Sequence, residues 1–362
     1  MNKERVVVWN KFRKNQLAYL GLLFILLTAF LSLFAVVLSP DNSPQANTIH
    51  LALAAKKPGF QVSMLKIPIH PQPETNWYDF MLGFPSDHEQ FPVLDWKLRH
   101  DSLEITSYYD EQSLAEKRLI PLTRFGEGGF DPDENIQTVR FWFGTDRFGR
   151  DMLSRMLIGA RISISVGLIA VCISMFTGIF LGSLAGYYGG KVDASIQWLM
   201  NVIWSLPTLL LVIAFALALG KGLWQIFFAI GMSMWVDVAR LVRGQVLGLK
   251  EKEFVEAARV LGLSDMRILF RHILPNLAGP LTVVAAANFA SAILLEAGLS
   301  FLGLGVQAPA PSWGQMIKEH YGYIVLDSAY LAIIPGLAIM LLVMSFNFVG
   351  NGLRDSLDVK LK

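Results

Sequence analysis

Residues 250–276, KEKEFVEAARVLGLSDMRILFRHILPN, have the types and spacing that most clearly predict molecular recognition. They form a charged, amphipathic segment between long apolar stretches, so we expect them to lie in water beside a membrane. Phe254, Ala257, Ala258 and Leu261 recur at helical spacing and predict one narrow apolar stripe. The small Ala257–Ala258 pair permits close approach by another surface. The segment therefore predicts a docking element for a second protein.

A turn and a second short helix are predicted to follow this stripe. Gly262 can adopt a positive φ and so end the first helix without a Cβ clash. Ser264 is a candidate N-cap for the second helix, and Pro275 is expected to end it. The apolar side of the second helix is Leu263, Met266 and Phe270. An amphipathic helix lying on the membrane surface is the alternative, but it has no need of fixed Gly262 and Leu274–Pro275 positions.

Polar groups inside the apolar stretches are candidates for a translocation path. Glu296 is the sharpest, because a charged carboxylate at mid-bilayer costs about 2.5–3.5 kcal/mol and usually faces a cavity or a partner. Its candidate roles are to gate the outer mouth, to bind a ligand ammonium group, or to hydrogen-bond the loop that follows. Pro207 is expected to kink the third span. A helical stripe before it carries aromatic and amide groups that suit either a tolerant path or simple packing: Trp198, Asn201, Trp204 and Ser205.

Close helix packing is predicted by glycines at four-residue spacing. Gly178, Gly182 and Gly186 give a smooth ridge against which another helix can approach. The spacing leaves open whether that helix belongs to the same subunit or to a moving or intersubunit contact. Asp237 and Arg240, three residues apart, predict an ion pair at the inner membrane boundary.

Several kinds of chemistry lack their residues in this sequence. Gly190–Lys191 and Gly220–Lys221 do not have the spacing or the hydroxyl of a phosphate-binding loop. We find no metal-ligand cluster, no nucleophile elbow and no catalytic pair, so we predict no catalytic residue, metal or cofactor on this chain. Cys172 is the single cysteine, which excludes an intrachain disulfide and suggests a packing role. The net charge of +2 gives no indication of a nucleic-acid partner.

The elements that position these residues are predicted to be membrane helices. With 53% hydrophobic and 17% charged residues among 362, the composition is that of a membrane protein. A spanning helix needs about 20 apolar residues. We predict six spans, at Leu17–Leu38, Ile162–Gly190, Ala194–Gly220, Gly222–Val236, Ile273–Leu295 and Ser328–Leu353. The first is too long for a signal-peptide core and is interpreted as a retained anchor.

The distribution of Lys and Arg predicts the orientation of the chain. Basic residues concentrate at the N-terminus, between Arg240 and Arg271, and in the tail, which places these three regions in the cytoplasm. The predicted domains are a cytoplasmic terminus with the first anchor (1–38), an extracytoplasmic insert (39–142), an interfacial charged segment (143–161), a transmembrane domain (162–351) and a cytoplasmic tail (352–362). In the charged segment, Arg155 and Arg161 are expected to snorkel at the membrane boundary.

The insert is predicted to be rich in loops. Ten of the sixteen prolines fall between Pro40 and Pro132, and no helical periodicity is present, so short strands are expected. The insert also contains histidines without metal-ligand spacing, which we interpret as surface or turn residues: His50, His70, His88 and His100.

Three motifs resemble those of one family, the permeases of ATP-binding-cassette (ABC) importers for dipeptides, oligopeptides and nickel. The docking segment resembles their coupling loop in Glu256–Ala257–Ala258, Gly262 and Leu274–Pro275, although His272 stands where an aliphatic residue is usual. The run GTDRFGRD from Gly144 resembles the segment before their second helix. EAGLSFLGLGVQAPAPSWG, from Glu296, resembles their broken outer segment, in which glycines and prolines forbid regular structure. The insert has no counterpart in this resemblance.

The resemblance implies a fold, a function and partners. It implies an all-α polytopic protein of the type I ABC importer permease fold, located in the bacterial inner membrane, with an insert of about 100 residues after its first helix. It further implies a homologous permease, two cytosolic ATPases that bind ATP and Mg²⁺, and an extracytoplasmic solute-binding protein. The coupling contacts would be made by Glu256, Ala257, Ala258 and Gly262, with Leu274–Pro275 fixing the second helix.

Other functions remain open at this stage. A nickel-chelate or other small-solute importer of the same family differs mainly in its binding protein. A membrane scaffold or sensor would use the insert to bind a ligand and the inner loop to recruit a signalling protein, but it would not need the broken outer segment. An intramembrane enzyme lacks a catalytic pair.

Overall fold

Helices make up most of the structure, a computed structural model that describes residues 2–108, 116–126 and 129–357. The helices of eight or more residues are α1 (Asn2–Lys14), α2 (Gln16–Leu33), α3 (Met152–Tyr188), α4 (Gly190–Trp204), α5 (Thr208–Leu219), α6 (Leu223–Lys250), α7 (Glu253–Val260), α8 (Ala278–Phe301), α9 (Trp313–His320) and α10 (Tyr330–Leu357). Short helical turns lie at Ala35–Leu38, Asp79–Leu82, Pro132–Asn135 and Asp265–Ile268.

Five helical segments of the described chain are long and apolar enough to cross a membrane. They are α2, α3, α6, the run Asp265–Phe301 that ends with α8, and α10. The predicted third span is instead a pair of helices, α4 and α5, bent by 94° at the break before Thr208. The predicted number of six is therefore reached only if this pair counts as one span.

The bend between α4 and α5 follows from Pro207. Proline has no backbone N–H to donate and disfavours helical geometry in the residue before it. The chain leaves α4 through hydrogen bonds from Ser205 N to Asn201 O (3.0 Å) and from Leu206 N to Ile203 O (3.2 Å). Pro207 itself has an extended ψ of 127°. The predicted kink is confirmed, and it is sharp enough to turn the chain by a right angle.

Helix α3 begins inside the segment 143–161, which the sequence analysis treats as an interfacial region. The helix begins at Met152 and runs without a break for 37 residues. At 1.5 Å per residue it is about 55 Å long, which exceeds the hydrocarbon core of about 30 Å. The helix is therefore longer than one crossing of the hydrocarbon core requires.

The contacts divide the chain into two units. The first, the membrane unit, contains 1–29, 162–307 and 336–362. Helix α6 lies at its centre, with a buried face that includes Ile230, Trp235 and Val242. The second contains 30–161 and 308–335 and carries the insert. We call it the outer unit after the orientation that the Lys and Arg distribution predicts.

The insert forms a five-stranded antiparallel sheet, in agreement with the strands expected there, so the all-α class describes only the rest of the chain. The strands are β1 (Phe60–Pro68), β2 (His88–Arg99), β3 (Ser102–Ser107), β4 (Lys117–Pro121) and β5 (Ile136–Phe141), in the order β4-β3-β2-β1-β5. Val62 and Met64 belong to one apolar cluster, whereas Leu65 and Ile67 belong to another. Alternate residues of a strand point to opposite faces, so β1 is covered on both sides.

Candidate coupling site

Helix α7 and its turn have the geometry that the sequence predicts at Gly262. Gly262 has a φ of +74°. Its N–H donates to Arg259 O (2.9 Å), and Leu263 N–H donates to Ala258 O (3.2 Å). These two bonds form a Schellman motif, which satisfies the last carbonyls of the helix and requires a left-handed residue at this position. The glycine therefore fixes the direction in which the chain leaves α7.

The two faces of α7 differ from the predicted stripe. Ala258 is buried with Val255 in a core cluster that includes Ile268 and Leu269, so it does not share a surface with Ala257. The reason is that the side of the helix that carries Val255 and Ala258 packs against the other residues of this core cluster. An apolar face made of Phe254, Ala257 and Leu261 remains exposed, and Leu261 is 79% accessible. We call these three residues the coupling surface; Glu256 is exposed beside them.

The second helix of the segment does not end at Pro275, contrary to the prediction. Asp265–Ile268 continues through a π-helical turn, Leu269–Ile273, and a 3₁₀ turn, Leu274–Leu277, into α8. The wider π turn lets the chain pass the proline, which lacks an N–H. Asn276 Nδ2 donates to His272 O (2.6 Å) in the same turn. Leu274 packs beside the core cluster, and Ser264 occupies the N-cap position, though without a cap hydrogen bond from its side chain among the described residues.

Tyr187 links this segment to α3, and the sequence analysis did not identify it. The side chain is 3% exposed, and its hydroxyl donates to Asp265 Oδ1 (2.6 Å). Lys250 Nζ donates to Tyr187 O (2.5 Å), and the Arg259 guanidinium lies 5.8 Å from the ring centroid. Residues from the start and the middle of the docking segment thus meet at the end of α3.

The glycine ridge of α3 packs against α6 of the same chain. A Cβ added at Gly178 would lie 2.5 Å from Val238 Cβ, and one at Gly182 would lie 2.5 Å from Ala239 O. One at Gly186 would lie 2.8 Å from Arg243 O. Of the two contacts that the spacing left open, the geometry therefore supports packing within the subunit.

The predicted stripe on α4 is exposed in the chain. Trp198, Asn201, Trp204 and Ser205 are all accessible to a solute, a lipid or a neighbouring subunit. Arg240 lies 3.9 Å over the Trp204 ring and donates to Asn201 Oδ1 (3.2 Å). Arg240 thus binds the stripe rather than forming the predicted ion pair with Asp237, because the end of α4 lies beside it.

Glu296 is fully buried in α8. Its Oε1 accepts a hydrogen bond from Ser300 Oγ (2.7 Å), and Ser300 Oγ in turn accepts one from Val306 N (3.2 Å). This chain of bonds joins the carboxylate to the irregular segment that begins after Phe301, where a Cβ on Gly305 would lie 2.1 Å from Ser300 Oγ. Of the candidate roles of Glu296, the geometry favours support of the broken segment.

A buried charge cluster organises the outer unit around Asp146. Asp146 accepts hydrogen bonds from Arg150 Nε (2.7 Å) and from the backbone N–H groups of Phe148 (2.8 Å) and Arg150 (3.0 Å). Glu319 of α9 pairs with Arg150 (3.1 Å) and Arg155 (3.9 Å). Arg155 is 1% exposed, so the prediction that it snorkels is wrong, because the two carboxylates compensate its charge inside the protein. Arg161, by contrast, is partly exposed.

The same cluster contains a group of potential metal ligands. Ligand atoms of Asp146, Glu319 and His320 lie within 4.8 Å of one another. Both carboxylates already pair with arginines, and His320 contacts Met316 O through Nδ1 (2.7 Å). Burial lowers the pKa of the His320 imidazole, although its bond to Met316 and the carboxylates Asp146 and Glu319 act in the opposite direction. The charge balance favours an ion-pair network over a cation site.

Helices long enough to span a membrane, together with an exposed helix-turn-helix, are those of a polytopic membrane protein, and comparisons give its family. Residues 178–362 match the model of the binding-protein-dependent transport system inner membrane component. Residues 6–55 match the N-terminal TM domain of oligopeptide transport permease C. The chain belongs to this family and is a permease subunit of an ABC importer in the inner membrane, not an enzyme. Residues 56–177, which include the sheet, lie outside both models.

Individual relatives give the same result. The chain is 42% identical over 234 residues to the dipeptide transport system permease protein DppC of Alkalihalophilus pseudofirmus, covering 64% of this chain and 77% of that one. It is 42% identical over 221 residues to the oligopeptide permease OppC of Bacillus subtilis, covering 61% and 72%. It is 44% identical over 238 residues to the glutathione permease GsiD of Escherichia coli O6:K15:H31, covering 65% and 78%. Among solved structures, the inward-facing MetNI methionine ABC transporter matches with a TM-score of 0.48 and 18% identity, covering 57% of this chain and 97% of that one.

Proposed function

We propose that this permease forms, with a homologous permease, the membrane path for peptide uptake, driven by two cytosolic ATPases and supplied by an extracytoplasmic solute-binding protein. The observation that carries the proposal is the coupling surface on α7. Phe254, Ala257 and Leu261 are exposed on a helix whose other face is buried and whose end is fixed by Gly262. An apolar surface held rigidly in this way is suited to a protein partner.

The substrate class follows from the relatives. These relatives are named for dipeptides, oligopeptides and glutathione, all of which carry peptide bonds. The exposed stripe on α4 offers indole rings and an amide, Trp198, Trp204 and Asn201, which can contact a peptide backbone without selecting side chains. A nickel chelate or another small solute is the less favoured substrate, since none of these three relatives is named for one.

The proposed mechanism assigns ATP and Mg²⁺ to the partner ATPases, because this sequence has no phosphate-binding loop. With both termini and the docking segment in the cytoplasm, closure of the ATPases would move α7 through its coupling surface. Tyr187 would transmit that movement to α3, since Asp265 and Lys250 both bind it. The close contact of α3 with α6 at Gly182 would then carry the displacement into the centre of the membrane unit.

Replacement of Gly262 tests the coupling role. No atom lies within 4 Å of a Cβ added there, so the cost of a side chain is the left-handed backbone, about 1–2 kcal/mol. Valine resists this conformation, whereas asparagine tolerates it. In proteoliposomes that contain the complete importer, we expect Gly262→Val to retain ATP hydrolysis but lose peptide uptake, and Gly262→Asn to keep both. Normal uptake by the valine variant would contradict the coupling role.

Uptake competition tests the substrate class. The same proteoliposomes, supplied with the binding protein, would be loaded with a radiolabelled dipeptide in the presence of unlabelled peptides or nickel chelate. We expect competition by peptides alone. Competition by the chelate with no effect of peptides would replace the substrate assignment while leaving the coupling assignment intact.

A further inference from the structure

An apolar turn projects from the insert of the outer unit. In the Trp77–Leu82 turn, Trp77 is 81% exposed, and the side chains that follow on the short helix are also largely exposed, Phe80 at 59%, Met81 at 57% and Leu82 at 66%. Apolar area of this size is unfavourable in water by about 25 cal/mol for each Å². A group of exposed apolar side chains on one short turn indicates an interaction site.

The conformation of the turn is fixed by buried neighbours. Asp79 is buried, and its carboxylate accepts a hydrogen bond from Asn76 N (2.6 Å). Gly83 ends the helix with a φ of +106°, and a Cβ there would lie 2.5 Å from Pro44 Cα. The rings of Phe80 and Phe84 meet edge to face with centroids 5.3 Å apart. These contacts therefore hold the turn in a conformation in which its apolar side chains are exposed.

Arg161 fastens this turn to the end of the first span. Its Nε donates to Ser32 O (3.1 Å), its Nη2 approaches Leu33 O (3.5 Å), and its Nη1 donates to Met81 O. Ser32 and Leu33 form the last turn of α2. The short helix Ala35–Leu38 that follows α2 also packs against Asp79–Leu82. The turn thus lies beside the last turn of α2.

Ser32 and Leu33, which Arg161 contacts, lie within the apolar stretch of the first span. Leu38, where the apolar stretch of the first span ends, lies six positions after Ser32, which corresponds to a rise of about 9 Å along a helix. The side chains of this stretch that face away from the protein are apolar and exposed as well: Phe30, Leu33, Phe34, Val37 and Leu38. The Trp77–Leu82 turn therefore lies beside the exposed apolar side chains at the end of the first span.

We propose that the Trp77–Leu82 turn inserts into the membrane leaflet on the side of the insert and anchors the extracytoplasmic sheet to the bilayer. Trp and Tyr are favoured at the boundary between lipid and water, where their rings are apolar and their N–H or O–H groups remain hydrated. Trp77 and Tyr78 stand at the start of the turn, before the wholly apolar Phe80, Met81 and Leu82. Arg161 supplies a cation beside the turn, and a long basic side chain can cover apolar surface with its stem while its charge stays at the boundary. The insert is thereby held against the membrane next to the first span.

Site-directed spin labelling of the full-length permease in lipid nanodiscs tests this proposal. A nitroxide would be attached to Phe80→Cys in a chain in which Cys172, the single native cysteine, is replaced by alanine. Leu33→Cys serves as the lipid-facing reference and Leu119→Cys, on the exposed strand β4, as the aqueous reference. All three positions are exposed, so labelling does not require a change in the core.

The measured quantity is the spin relaxation of the nitroxide caused by two reagents. Oxygen concentrates in lipid, whereas a nickel chelate stays in water, so the ratio of the two relaxation rates reports whether the label lies in lipid or in water. We expect the Phe80 label to resemble the Leu33 label, with a ratio of oxygen to nickel accessibility several-fold above that of the Leu119 label. A Phe80 label as accessible to nickel as the Leu119 label would place the turn in water and overturn the proposal. Low accessibility to both reagents would show a covering protein instead of lipid, which also overturns it. A second label at Leu82→Cys checks that the result belongs to the turn.

Discussion

Replacement of Gly182 by alanine measures the contact between α3 and α6 directly. The added Cβ would lie 2.5 Å from Ala239 O, 3.0 Å from Ala239 Cα and 2.9 Å from Val242 Cβ. Two of these atoms are backbone and cannot rotate away. Ordinary contact begins at 3.4 Å, so the helices must separate by about 0.9 Å. Forcing extra atoms into a packed core costs about 1–3 kcal/mol.

Gly244→Ala on α6 is the matched control. No atom lies within 4 Å of a Cβ added at Gly244. Both substitutions gain the helix propensity of alanine over glycine, about 1 kcal/mol, so the difference between the two variants isolates the contact.

The assay is unfolding of the purified permease by detergent titration, followed by circular dichroism. We expect Gly182→Ala to have a free energy of unfolding lower than that of Gly244→Ala by about 1–3 kcal/mol. Equal stability of the two variants would refute the close packing of α3 on α6.

Three further predictions concern single side chains. Tyr187→Phe removes the hydrogen bond to Asp265, worth about 1.5–3 kcal/mol for a bond to a charged group, and should speed hydrogen exchange in 263–270; unchanged exchange would contradict the link. Asp146→Asn breaks a buried ion pair and should cost the outer unit about 3–5 kcal/mol in thermal unfolding; a loss below 1 kcal/mol would contradict the cluster. Because burial lowers the pKa of His320 below 6.5, the folded state favours its neutral form. The free energy of unfolding should therefore be highest above pH 6.5 and should decrease as the pH is lowered below that value. His320→Gln should reduce this acid-dependent loss without abolishing it, since burial also lowers the pKa of His50.

The local features of the permease could be predicted from the sequence. Gly262 lies between two amphipathic helices, and its positive φ follows from neighbouring residues alone. The Gly178, Gly182 and Gly186 ridge depends only on a four-residue repeat, although the repeat did not say which helix it would meet. Pro207 marked the break between α4 and α5 because proline acts on its own backbone and that of the preceding residue.

The features that depend on distant residues could not be predicted. Arg155 appeared to be a boundary residue because Glu319, which compensates its charge, belongs to a different helix. Tyr187 bears no motif, and Asp265, its partner, is 78 residues away. Strands were expected in the insert, but their positions and pairing were not, because β1 is buried on both faces, so Val62–Ile67 does not alternate between apolar and polar residues.

Cross-linking at the coupling surface tests the central claim most directly. Ala257→Cys, in the chain with Cys172 replaced by alanine, would be treated in native membranes with a membrane-permeant cross-linker that carries a maleimide at one end and a photoreactive benzophenone, which inserts into C–H bonds, at the other. Arg354→Cys is the control, because Arg354 is exposed near the end of α10, in the predicted cytoplasmic tail, and lies outside the coupling surface. We expect Ala257→Cys to cross-link to a subunit whose sequence contains a phosphate-binding loop, with a yield that changes when ATP is added. Capture of no such subunit, under conditions in which Arg354→Cys reacts equally well with the reagent, would contradict the account.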